Sequence, residues 1–63
     1  MNKKQKASIY KVFDFISNNP LKSKVVIARR LGISREECEF AIEKLLYFND
    51  IQGNKKFDIN YLR

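Results

Sequence analysis

The chain has 63 residues, with 13 Lys and Arg against seven Asp and Glu, a net charge of +6, one Cys and no His. This length allows one domain, residues 1–63, with a small core, and a single Cys excludes an internal disulfide. The lack of His removes the commonest base and metal ligand at neutral pH, and one Cys is too few for a thiolate zinc site. We therefore expect a protein that is not an enzyme and that uses no metal or cofactor.

The positive charge is typical of domains that bind polyanions. No apolar run has transmembrane length, and the Lys-rich N-terminus lacks the apolar stretch of a signal peptide. The single thiol suits a reducing compartment. We expect a cytoplasmic protein that does not bind membranes, and no small-molecule ligand is evident.

The first predicted helix covers Lys4 to Asn18, after a flexible basic arm at residues 1–4. Its apolar positions recur with the helical spacing i, i+3, i+4, i+7, at Ile9, Val12, Phe13 and Ile16. Asn18, Asn19 and Pro20 end the helix, because proline cannot continue it.

A second helix is predicted from Lys24 to Leu31, with Ser23 as its N-cap. Gly32 follows, and glycine readily adopts the left-handed conformation of a tight helix exit. Ser34 and Glu37 then form the S-x-x-E pattern of a capping box, which opens another helix. The residues from 27 to 37 therefore predict two helices joined by a sharp turn.

The third predicted helix runs from Arg35 to about Phe48 and ends at Asn49 and Asp50. Its inward stripe is expected to contain Cys38, as a small buried hydrophobe, with Ala41, Ile42 and Leu45. Beyond it, Gly53-Asn54 is typical of a tight hairpin turn, and Phe57 and Ile59 alternate with polar neighbours. The tail is therefore predicted to be a β-hairpin.

Residues 27–34 resemble the hydrophobic-Ala-x-x-Leu-Gly-hydrophobic-Ser signature of helix-turn-helix proteins. Three helices followed by a basic hairpin resemble the winged helix-turn-helix family. The resemblance implies a mainly α (α+β) fold with a C-terminal β-hairpin wing, and a transcriptional regulator that binds duplex DNA. RNA stays an alternative partner, because it presents the same phosphates.

The resemblance also implies which side chains contact nucleic acid. Basic residues around helix two and at the wing tip would hold phosphates, and two residues of helix three would lie nearest any base edges. This set contains Lys24, Arg29, Arg30, Arg35, Phe40, Lys44, Lys55 and Lys56.

The charge of helix three conflicts with this interpretation. From Arg35 to Asp50 there are five acidic and two basic residues, a local charge of −3, so the rest of the chain carries +9. Phosphates repel such a helix unless particular carboxylates accept hydrogen bonds from cytosine. The alternative is a protein–protein interaction module that uses the acidic and aromatic side of helix three, at Phe40, Glu43, Tyr47 and Phe48.

A homodimer is a further expectation, because a 63-residue domain buries little apolar surface. Its seam would be helix one or the Tyr47-Phe48 end of helix three.

Overall fold

The computed structural model describes residues 2–53 and 59–63. Three α-helices, α1 (Lys3–Asn18), α2 (Lys24–Leu31) and α3 (Arg35–Gln52), are followed by a short 3-10 turn at Asn60–Leu62. Within the described ranges, no helix has the length and apolar character needed to cross a membrane.

A capping box that was absent from the sequence predictions begins α1. The Asn2 side chain accepts a hydrogen bond from the Gln5 N–H at 2.8 Å, and the Gln5 side chain accepts one from the Asn2 N–H at 3.1 Å. These two bonds satisfy backbone donors that the first helical turn leaves unpaired. The helix therefore includes Lys3 and Lys4, which lie in the segment expected to be an arm.

The predicted bounds of α2 are confirmed, as is the turn that follows it. Ser23 caps the helix by accepting a hydrogen bond from the Val26 N–H. Gly32 adopts the left-handed backbone conformation, with φ of 66°. The Ile33 N–H then donates a hydrogen bond to the Ala28 carbonyl at 3.1 Å. The chain thus leaves α2 and enters α3 within three residues.

The core lies between the three helices, and α3 supplies its largest share. The predicted inward stripe of α3 is confirmed, since all four of its members are buried. The prediction for α1 is only partly right, because Phe13 remains 45% exposed. The buried hydrophobic residues are Ile9, Val12, Ile16, Ile27, Cys38, Ala41, Ile42, Leu45, Ile59 and Leu62.

The predicted β-hairpin wing, and with it the α+β winged class, is wrong. The described part of the chain is helical and contains no strand. The third helix continues past Phe48 to Gln52, and Gly53, with φ of 60°, caps that helix instead of opening a hairpin. Left-handed glycine serves both purposes, so the local signal was ambiguous. Lys55 and Lys56, predicted on the wing, lie outside the described residues.

The C-terminal residues complete the core. Ile59, expected in a strand, is fully buried ahead of the 3-10 turn, and Leu62 is 4% exposed. The Tyr61 hydroxyl accepts a hydrogen bond from the Leu21 N–H at 3.2 Å, and Arg63 pairs with Asp50 of α3. The chain end is therefore held both to the α1–α2 connection and to α3.

We predict that Ile59→Ala lowers the free energy of unfolding by about 2–4 kcal/mol, because it leaves a cavity in a small core. Ile51→Ala is the matched control: Ile51 is 63% exposed, so its truncation should change stability by less than about 0.5 kcal/mol. Urea denaturation followed by circular dichroism measures both variants. Equal effects of the two substitutions would contradict the role assigned to the C-terminal turn.

Candidate nucleic-acid interface

Three cations of α2 are exposed: Lys24, Arg29 and Arg30. In the described part of the chain, none of them forms an ion pair with a carboxylate. Arg29 and Arg30 lie in the last helical turn, where the helix dipole favours positive charge. Their charges are thus stabilised by α2 itself and stay available to an external anion.

A notch separates α2 from the start of α3, with a volume of about 430 Å³. We call it the α2–α3 notch. Three predicted phosphate ligands, Lys24, Arg29 and Arg35, lie around it, and one carboxylate and the apolar side chains of both helices and of the turn form the rest of its wall. Its lining consists of Lys24, Val25, Ala28, Arg29, Ile33, Arg35, Cys38 and Glu39.

Five of the lining residues were not predicted as part of a site, and two of them, Val25 and Glu39, are exposed. Val25 is 58% exposed and does not follow the helical period of the core residues. Its apolar side chain lines the notch. Glu39 brings a negative charge among the cations. The i, i+4 spacing of Arg35 and Glu39 in the sequence indicates that their side chains are neighbours on the helix.

Arg35 and Glu39 form an ion pair at one side of the notch. The Arg35 Nε–H donates to Glu39 Oε1 at 3.1 Å, and their side chains are 88% and 47% exposed. An exposed pair of this kind contributes little to stability. It does, however, occupy one donor of the Arg35 guanidinium.

Phe40 and Lys44, predicted nearest to the base edges, lie away from the α2–α3 notch. The Lys44 ammonium is 5.3 Å from the centroid of the Phe40 ring, a cation–π distance. Phe40 lines a different groove, between the starts of α1 and α3, together with Lys4 and Glu36. The structure therefore does not bring these two residues together with the cations of α2.

The predicted capping box of α3 is only half formed. Ser34 accepts a hydrogen bond from the Glu37 N–H at 3.1 Å. The Glu37 carboxylate instead accepts a hydrogen bond from Ser8 Oγ at 3.4 Å and pairs with Lys4 at 3.5 Å. Contacts with α1 have thus replaced the return bond of the box.

The outer stripe of α3, defined as Glu36, Phe40, Glu43 and Tyr47, keeps a negative character. Glu36 and Glu43 form no ion pair within residues 2–53 and 59–63. Tyr47 is 62% exposed. Phe48, predicted on the same interface, instead lines a groove between α1 and α3. The predicted interface therefore divides between two faces, and the homodimer seam stays a prediction.

Cys38 is buried beneath the α2–α3 notch, as predicted. Its thiol lies 3.6 Å from the Lys24 carbonyl oxygen, to which it donates a hydrogen bond. Burial raises the pKa of this thiol above the ordinary value of 9.0, and the Glu39 charge raises it further while Lys24 lowers it. The thiol is therefore protonated at neutral pH and serves as part of the wall.

No group of three or more His, Cys, Asp or Glu side chains placed to hold a metal ion occurs among the residues that the structure describes. No family model, curated protein or solved structure matches this chain.

We predict that iodoacetamide modifies Cys38 at least about a hundredfold more slowly in the native protein than in denaturant, because modification requires the fold to open.

Folding raises the pKa of the Cys38 thiol, so above pH 9.0 the native state keeps a proton that the unfolded state loses. The thiol's contribution to stability is thus complete below pH 9.0 and is lost as the pH rises through the higher native pKa.

Mass spectrometry measures the modification rate, and urea denaturation at several pH values measures the stability. Cys38→Ala is the control and should lack the alkaline component of the loss. Equal modification rates in the two states, or an identical pH dependence in the variant, would contradict the buried thiol.

Proposed function

We propose that this protein binds duplex DNA through the cations of α2 and the α2–α3 notch. The observation that carries the proposal is the grouping of Lys24, Arg29 and Arg35 around one notch. Arg30, the next residue after Arg29, is also exposed. Phosphodiesters are the polyanion that such a group of Lys and Arg binds best, since Arg offers several donors to one phosphate. The net charge of +6 supports the same partner.

The contact surface in this proposal differs from that of a helix inserted in the major groove. The outer stripe of α3 holds Glu36 and Glu43 without ion-pair partners among the described residues. Phosphates flank any helix that enters a groove and repel such carboxylates. We therefore assign the DNA contact to α2 and the first turn of α3, and we expect binding with little sequence preference.

The helix-turn-helix resemblance implies a transcriptional regulator, and we propose this role for the protein. The helix–turn–helix corner at Gly32 and the cations of α2 support it. We propose a cytoplasmic location, which the single thiol of the chain supports.

A second candidate function is a protein-interaction module that uses the outer stripe of α3. The observation that favours it is the exposure of Tyr47 on the same stripe as Glu36 and Glu43, which form no ion pair among the described residues. Aromatic residues are enriched in protein interfaces. A basic partner protein would complement this stripe, and DNA would not.

We predict that the protein binds a fluorescein-labelled duplex of mixed sequence in an anisotropy titration, with a strong dependence on salt. Three phosphate contacts predict about 40-fold weaker binding at 0.2 M than at 0.05 M salt. Replacing Lys24, Arg29 or Arg30 by Gln should weaken binding and reduce the slope of log K against log salt by about 0.9 for each residue.

Lys11→Gln is the matched control, because Lys11 is an exposed cation of α1 that lies outside the notch. It makes the same change in net charge and should leave the salt slope unchanged. Duplex RNA of the same sequence tests the alternative partner. Failure to bind at low salt, or equal effects of Lys11→Gln and Arg29→Gln, would contradict the proposal.

A further inference from the structure

Glu39 is the acidic residue among the side chains that line the α2–α3 notch. The other acidic residues of α3 lie elsewhere: Glu37 contacts α1, Glu36 and Glu43 belong to the outer stripe, and Asp50 pairs with Arg63. Glu39 therefore places a negative charge where the proposed function requires a phosphate. This position needs a physical explanation.

The stability of α3 does not provide that explanation. Arg35 is the first residue of the helix, where the helix dipole disfavours positive charge. An i, i+4 pair is also weaker when the basic residue precedes the acidic one, as Arg35 precedes Glu39. The Arg35 and Glu39 side chains are 88% and 47% exposed, so water screens the attraction between their charges.

We propose that Glu39 is an intramolecular counter-ion that masks Arg35 and so limits phosphate binding at the notch. This inference rests on the proposed function. The Glu39 carboxylate occupies the Arg35 Nε–H at 3.1 Å, which is one of the donors that a bidentate contact with a phosphate uses. Its charge also repels any phosphate that approaches Lys24 and Arg29.

Arg35 therefore stays paired with Glu39 when DNA binds Lys24 and Arg29, and the notch contacts one phosphate fewer than its three cations would allow.

The test compares Glu39→Gln with Glu43→Gln, in which the same change of charge is made one helical turn further along α3. Glu39→Gln should bind the labelled duplex about 5- to 10-fold more tightly at 0.1 M salt, because Arg35 becomes available for another phosphate. The slope of log K against log salt should become steeper by about 0.9. Glu43→Gln should leave that slope unchanged.

The double variant Arg35→Gln/Glu39→Gln should return the salt slope to the wild-type value, because Arg35, the cation that the loss of Glu39 makes available, is then absent. Circular dichroism shows whether each variant is folded. An NMR measurement of the Arg35 Nε–H gives a readout that needs no DNA: its exchange with water should be faster in Glu39→Gln than in the wild type.

The outcomes separate the two proposals. Wild-type protein that fails to bind duplex DNA at low salt overturns the proposed function and this inference together. Wild-type protein that binds with the predicted salt dependence, while Glu39→Gln and Glu43→Gln share one slope, overturns the inference alone. A steeper slope for Glu39→Gln that persists in the double variant also overturns it.

Discussion

The turn at Gly32 is the constraint on which the rest of the structure depends. Its left-handed backbone, with φ of 66°, ends α2 three residues before α3 begins, and the Ile33 amide donates a hydrogen bond to the Ala28 carbonyl. Ser34 then caps α3. Because α3 begins so close to the end of α2, the first turn of α3 lies beside the length of α2, and Arg35 joins Lys24 around one notch.

The core holds this arrangement in place through one face of α3. Cys38 and Ile42 of that face are buried, and α1 and α2 both pack against it. The C-terminal residues Ile59 and Leu62 complete the core. Since the apolar face of α3 is fixed by this packing, the packing also positions its acidic residues: Glu39 lines the notch beside α2, Glu37 contacts α1, and Glu36 and Glu43 are exposed.

The sequence predicted those features that local signals determine, such as the bounds of α2 and the inward stripe of α3. It failed where one local signal fits two structures. Gly53 is compatible with a hairpin turn and with a helix C-cap, and the continuation of α3 through Asn49 decides between them. It also failed where a tertiary contact competes with a local one, since the Glu37 carboxylate contacts Ser8 and Lys4 instead of completing its capping box.

The central claim is that duplex DNA contacts α2 and the α2–α3 notch and not the outer stripe of α3. The most direct measurement is an NMR titration of the ¹⁵N-labelled protein with an unlabelled duplex at low salt. The account predicts that amide shifts concentrate in α2 and in the turn from Gly32 to Arg35, while Glu43 and Tyr47 change little. Shifts that concentrate at Glu43 and Tyr47, or no shifts at all, would contradict it.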